Sequence, residues 1–161
     1  MPVIITKFIK FSKKYGYFLK DCRKNLYYKK YINSSKNSNA DIFIIINEKP
    51  IGVLEVNSIN LIDSNLALNI FLKNDNFLMK MIVLFRAVGF VFERYKVHKV
   101  ILKIYEKNTR VNNILKKMNI KYEGYITVDF YNKVHISSIL ENEYLKFNNL
   151  KWRELFYLLK N

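Results

Sequence analysis

Two hydrophobic periods alternate along this chain. In the 77–95 stretch the apolar residues Leu78, Met81, Ile82, Phe85, Val88 and Phe92 recur at the i, i+3, i+4, i+7 spacing of one helical face. Lys80, Arg86, Glu93 and Arg94 lie mostly off that face, so the pattern predicts a long amphipathic helix over 77–95. Short runs rich in β-branched and aromatic residues flank it, 66–72 (LALNIFL) before and 98–106 after, and both predict strands. A strand, a helix and a strand in succession form a crossover unit, which sets the two strands side by side and parallel.

The remaining pattern fills in around that unit. Residues 3–11 predict a first strand, and Ser12 is placed to cap a helix beginning at Lys13. Tyr15, Phe18, Leu19 and Cys22 share one helical face; Leu26, Tyr27 and Tyr31 continue a second, so one bent helix or two short ones fit. A polar loop follows at 33–39. Strands 41–46 and 51–59, joined by the turn 47–50, read as a hairpin, and Asp63, Ser64 and Asn65 make the next turn. Past the second crossover strand, Asn108 or Thr109 caps a helix whose inner face is Val111, Ile114, Leu115 and Met118. Asn119 ends it, because asparagine tolerates the left-handed conformation of helix termini. Strands 122–131 and 134–140 join at Asn132 and Lys133, and a last helix from Asn149 carries Trp152, Leu155, Phe156 and Leu159. Gly89 suits close packing of the long helix on the sheet. With neither repeat nor linker, 1–161 reads as one domain of α/β (α+β) class, a core over 1–144 and a helical extension over 145–161.

Composition narrows the setting. Half of the 161 residues are apolar and 16% aromatic, which excludes intrinsic disorder. The single cysteine, Cys22, has no internal disulfide partner and favours a reducing compartment. The apolar N-terminus is broken by Lys7 and Lys10 and lacks a cleavage site. The longest apolar run, 81–92, is interrupted by Arg86 and falls short of the ~20 residues of a membrane span. The expectation is a cytoplasmic protein with no membrane span. His98 and His135 are isolated, so no metal site is expected.

Net charge is +15, which favours anionic partners: nucleic acid, an anionic membrane surface or a phosphorylated small molecule. No block of five or six consecutive basic residues forms a tail. The basic, tyrosine-interleaved segment 13–31 is the best nucleic-acid candidate; its plainer reading is the solvated side of an amphipathic helix.

The stretch 97–124, VHKVILKIYEKNTRVNNILKKMNIKYEG, resembles the GNAT superfamily of acetyl-coenzyme-A-dependent N-acetyltransferases. The similarity is to the branch of ribosomal-protein N-terminal and amino-sugar acetyltransferases. The family pattern N-x-x-A-I-x-x-Y-E-K-L-G-F-x-x-E-G aligns without a gap on Asn108 to Gly124. The segment DFYNKVHISSILENEYL resembles the paired strands that close this branch, and Arg23-Lys24-Asn25 is weakly similar to its first-helix "R-N". The resemblance covers about 3–144.

The resemblance implies a GNAT-like mixed, mostly antiparallel sheet with a central splayed parallel pair, flanked by helices, plus a C-terminal helix. The co-substrate would be acetyl-CoA, its pantetheine lying between the splayed strands on backbone groups of Ile70, Phe71 and Leu72. Its pyrophosphate would sit on the helix start formed by Asn76, Phe77, Leu78, Met79 and Lys80, where unpaired N–H groups and the helix dipole favour an anion. Asn108 and Val111 would line the mouth. Backbone N–H groups near Leu72 would stabilise the oxyanion of acyl transfer.

The chain departs from the family at three places. Where the family has R/Q-x-x-G-x-G/A, residues 75–80 read DNFLMK, without glycine. The family's tyrosine acid falls at Leu115, and a frequent strand glutamate falls at Ala67. The remaining acid/base candidates are Glu55, His135 and Tyr122, with Tyr125 and Tyr131 as further tyrosines. Three functions follow: an N-acetyltransferase acting on a nucleotide-linked amino sugar, another small molecule or a protein N-terminus; a non-catalytic GNAT-fold partner or regulatory protein; and a basic nucleic-acid-binding module. Trp152, Phe156 and Leu159 would either make a homodimer contact or fold back on the core.

Overall fold

Among the described residues, seven strands form one sheet in the order β1-β2-β3-β4-β5-β7-β6. The structure, a computed structural model, describes residues 6–25, 40–73, 76–130 and 132–148. The strands are β1 (Lys7–Lys10), β2 (Asp41–Asn47), β3 (Lys49–Asn60), β4 (Asn65–Leu72), β5 (Lys99–Tyr105), β6 (Lys121–Asp129) and β7 (Asn132–Leu140). The helices are α1 (Gly16–Cys22), α2 (Phe77–Tyr95), α3 (Thr109–Lys117) and α4 (Glu141–Asn148), with a short 3-10 turn at Lys13–Tyr15. Neighbouring strands are antiparallel except β4 and β5, the parallel pair that the crossover helix α2 connects.

Strand alternation sorts the core into two layers. Leu54, Val56, Leu66, Leu68, Leu72, Val100 and Leu102 pack beneath α2 and α3, together with Val88, Phe92, Ile114 and Leu115. Ile44, Val53 and Phe71 point the other way and meet Leu19 and Cys22 of α1. Burial pushes the Cys22 thiol up to about 11, so it is an inert packing group at neutral pH. Helix α2 spans the predicted 77–95, and Asn119 takes the predicted left-handed conformation at φ 55. Among the described residues no helix is long and apolar enough to cross a membrane.

Several local expectations are corrected. Ser12 precedes the 3-10 turn, but its side chain makes no capping bond. The β2–β3 turn is tighter than predicted, with Glu48 at φ 61, and Pro50 lies inside β3. Proline is tolerated there because the register shifts at Ile45/Ile46, beside the pair Ile46–Pro50. The β6–β7 turn falls between Asp129 and Asn132, whose side chains bond at 2.9 Å, two residues earlier than predicted. Helix α4 begins at Glu141, earlier than the helical extension predicted over 145–161; Glu143 accepts the Leu140 N–H at 3.0 Å at its start. Gly89 serves α4 rather than the sheet, since a Cβ there would stand 2.1 Å from the Tyr144 hydroxyl. Leu26, Tyr27, Tyr31, the loop 33–39 and the helix from Asn149 with Trp152, Leu155, Phe156 and Leu159 lie outside the described residues, as does Tyr131.

One ionic cluster ties β5, β6 and β7 together. Glu123 accepts from the Ser138 hydroxyl at 2.6 Å and pairs with Lys99 at 2.9 Å and Lys121 at 3.2 Å. The Ser138 hydrogen bond and then the two lysines hold its carboxyl down at about 2, against an ordinary 4.5. A depressed carboxylate stabilises the fold fully above pH ~4.5, and that contribution is lost as pH falls toward 2, where the folded state also takes the proton. Glu123→Gln should therefore flatten the fall of melting temperature across this window. An unchanged profile would show that the cluster contributes nothing.

Candidate active site

The parallel pair parts halfway along. β4 and β5 pair from Asn65–Lys99 to Leu68–Leu102 and no further among the described residues. β4 continues to Leu72 while paired with β3, and β5 continues to Tyr105 while paired with β7. A wedge-shaped gap therefore opens between residues 69–72 and 103–105. Lys73 donates its backbone N–H to Ile51 on β3 at 3.0 Å. By alternation Phe71 also faces β3, opposite Val53, and Ile70 and Leu72 turn their N–H and C=O groups into the gap. Such groups lack a ladder partner and invite an extended ligand to add as a strand.

Two helices begin at the gap's mouth. Asn76 caps α2, its Oδ1 accepting from Met79 N–H at 3.1 Å, and Lys80 N–H bonds the Asn76 carbonyl. Of the predicted cradle, Phe77 and Leu78 thus hold the N–H groups outside the helix's own bonds. Asn108 caps α3 through Val111 N–H at 3.4 Å, and Asn112 donates to the Tyr105 carbonyl at 2.9 Å, pinning α3 to the end of β5. Arg110 bridges the two helix starts, its guanidinium 3.7 Å from the centre of the Phe77 ring. This arginine was missed by the sequence reading. A signal did exist: a cation in the first turn of a helix opposes the dipole. That local conflict is settled by a partner on another element.

On the α1 side, Lys73 just past β4 forms an ion pair with Asp21 and lies 5.6 Å from the Phe18 ring. The pair lowers the Asp21 pKa and raises that of Lys73, each mainly through their shared hydrogen bond. It ties α1 to the lip of the gap.

The acid/base candidates divide between the two sheet faces. Glu55, on the α1 face of β3, is 3% exposed and is the only buried carboxylate among the described residues. It stands opposite Asn69, the first β4 residue past the last β4–β5 pair, and accepts from Asn57 Nδ2 at 3.0 Å. His135 is opposite Ile104 and so lies on the α2–α3 face. Its Nε2 is 3.7 Å from a Glu106 carboxylate oxygen, and its ring meets Tyr122 edge-on at 5.2 Å. The structure thus brings His135 and Tyr122 together and sets Glu55 across the sheet from them. Tyr122, on edge strand β6, is half exposed and two strands from the gap; Tyr125 lies beneath Lys133. Leu115 is buried in the core and Ala67 is buried opposite Asn57. Among the described residues no group of His, Cys, Asp and Glu side chains could hold a metal ion.

No protein-family profile and no curated protein matches the chain. Solved structures do. A chimera of the spermidine N-acetyltransferase from Vibrio cholerae with hSSAT superposes with a TM-score of 0.70 at 20% identity, covering 88% of this chain and 98% of that one. The dodecameric Vibrio cholerae enzyme in an intermediate state gives 0.68 at 18%, covering 88% and 97%. The same enzyme in complex with CoA and spermine gives 0.64 at 18%, covering 87% and 98%. These are GNAT-superfamily acetyltransferases, and the fold of this chain is the GNAT fold: a mixed, mostly antiparallel sheet with one parallel pair, flanked by helices.

Proposed function

We propose that this protein is an N-acetyltransferase that moves an acetyl group from acetyl-CoA to a primary amine. The observation that carries the reading is the loss of pairing between β4 and β5 beyond Leu68 and Leu102, which leaves Ile70 and Leu72 with main-chain groups turned into a gap. Similar structures include an enzyme bound to CoA and spermine in this fold. Acetyl-CoA would supply the activated thioester. The chain would hold its pantetheine on Ile70 and Leu72, and its phosphates on Phe77 and Leu78 N–H groups with Arg110. The Leu72 N–H would stabilise negative charge on the acyl oxygen. Glu55 would take the proton of the attacking amine from the α1 face; His135 and Tyr122 would serve the opposite face.

Arg110 replaces by side-chain charge what the glycine-free start of α2 lacks in close backbone approach. The acceptor that fits best carries phosphate, such as a nucleotide-linked amino sugar: a field of +15 attracts it and repels a polycation. The Vibrio enzymes are spermidine acetyltransferases, so acceptor choice is where this chain would differ from them.

Thermal denaturation with acetyl-CoA tests the reading. At 100-fold excess over Kd the ligand adds about 2.7 kcal/mol of stability. Arg110→Ala is expected to weaken binding about tenfold and to flatten its salt dependence, since a charge-assisted bond contributes roughly 1.5–3 kcal/mol. No stabilisation at millimolar acetyl-CoA would overturn the proposal. It would favour a GNAT-fold protein that has lost its co-substrate, the reading that the asparagine-capped, glycine-free start of α2 also suits.

A further inference from the structure

Asn57 presents a feature that the fold does not require. It is 9% exposed, and its Oδ1 is buried without a hydrogen-bond partner. Its Nδ2 donates to Glu55 Oε1 at 3.0 Å. A carboxylate only accepts, so the amide must turn its NH2 group to Glu55, and that choice strands the carbonyl oxygen. A buried acceptor left unmade is costly, and such groups in native proteins call for an explanation. Three features surround it. Asn57 stands opposite Ala67, a small side chain buried on the same face. Glu55 stands opposite Asn69, where β4 and β5 begin to part. The register breaks directly after Asn57, so β4 is not held tightly against it there.

We infer that Asn57 is a positioning residue of the amine seat: it orients the Glu55 carboxylate through Nδ2 and offers Oδ1 to an N–H of the incoming ammonium. The seat is built of acceptors only. It therefore selects a protonated primary amine over a hydroxyl or a quaternary ammonium of equal charge. In the bound state the ammonium gives one proton to the Glu55 carboxylate, leaving a neutral amine and a carboxylic acid. One remaining N–H stays on Asn57 Oδ1, which aims the nitrogen lone pair away from Asn57. The inference rests on the acetyltransferase reading for its setting. It differs from that reading in naming a residue that no family pattern assigned.

The test is a titration of the full chain, with 13C and 15N in its asparagine and glutamate side chains, using n-butylammonium and, separately, tetramethylammonium. The second carries the same charge but no N–H. The Asn57 side-chain amide and the Glu55 carboxyl carbon are expected to shift with butylammonium and not with tetramethylammonium. Equal response to both, or response to neither, overturns the inference. Asn57→Leu should abolish the response while keeping wild-type stabilisation by acetyl-CoA. If that variant fails to fold, Asn57→Asp keeps the shape. It removes the Nδ2 donor that Glu55 accepts from, so the Glu55 carboxyl-carbon resonance should move in the free protein; an unmoved resonance counts against the contact. A responsive Asn57 in a protein that acetyl-CoA fails to stabilise would remove the co-substrate reading and keep the seat. An unresponsive Asn57 in a protein that acetyl-CoA does stabilise would remove the seat alone.

Discussion

Glu55→Gln is expected to slow acetyl transfer by about 100-fold or more while leaving acetyl-CoA binding at its wild-type level. Glutamine matches glutamate in size and keeps an oxygen that accepts from Asn57 Nδ2, so the packing of this buried position is preserved. What disappears is the capacity to take a proton. Glu55 lies one strand from the gap and on the α1 face, so it touches neither the start of α2 nor Arg110. The loss should therefore appear in kcat and not in thermal stabilisation by acetyl-CoA. His135→Gln is the matched control. His135 is on the opposite face and partly exposed beside Glu106, away from the buried Glu55–Asn57 pair, and its loss should cost only a few-fold. Release of free thiol from acetyl-CoA, followed across pH with both variants, decides between the two. A Glu55→Gln protein that retains most of its rate, beside a crippled His135→Gln, would transfer the base to the other face of the sheet.

The second large effect is on stability. An added Cβ at Gly52 would stand 2.2 Å from the Phe71 carbonyl oxygen, 2.6 Å from Leu72 Cδ2 and 3.2 Å from Leu72 Cα. Two of these atoms are backbone, and the neighbouring bond from Lys73 N–H to the Ile51 carbonyl leaves β4 little freedom to move. Gly52→Ala should cost about 3 kcal/mol, the upper part of the usual overpacking range. For a chain of this size that is roughly 6–12 °C in melting temperature. The distortion falls on the residues that line the gap, so acetyl-CoA affinity should fall as well. Gly16→Ala is the contrast. Gly16 is helical at φ −56 with nothing within 4 Å of an added Cβ, so alanine there should be neutral or slightly stabilising. A Gly52→Ala protein melting with the wild type would show that β3 and β4 are looser than this contact implies.

How much of this was legible in the chain follows from the range of each interaction. Helix α2 came out with its bounds because nineteen residues of one period outweigh local noise. Asn119 was legible because the left-handed conformation is a single-residue preference. The parallel placement of β4 and β5 followed from the handed crossover alone. The start of α4 was not legible: ENEYLKFN is short and follows β7 directly, with neither glycine nor proline to mark the change of period. Pro50 was misassigned because its place in β3 depends on a register shift in the pairing with β2.

The candidate site divides in the same way. Glu55 and Asn57 are two apart on a buried strand, so their shared face was implicit in the alternation. Their hydrogen bond and the stranded Oδ1 were not, because they depend on rotamers set by the packed sheet. The sequence by itself determined the order of elements and the parallel pair, since each is a property of local spacing. Only the tertiary structure decided where β4 and β5 part, that Arg110 reaches Phe77, and that Glu55 and His135 lie on opposite faces. Each of those joins residues distant in the chain, and the sheet register that brings them together is set by the packing of the whole core.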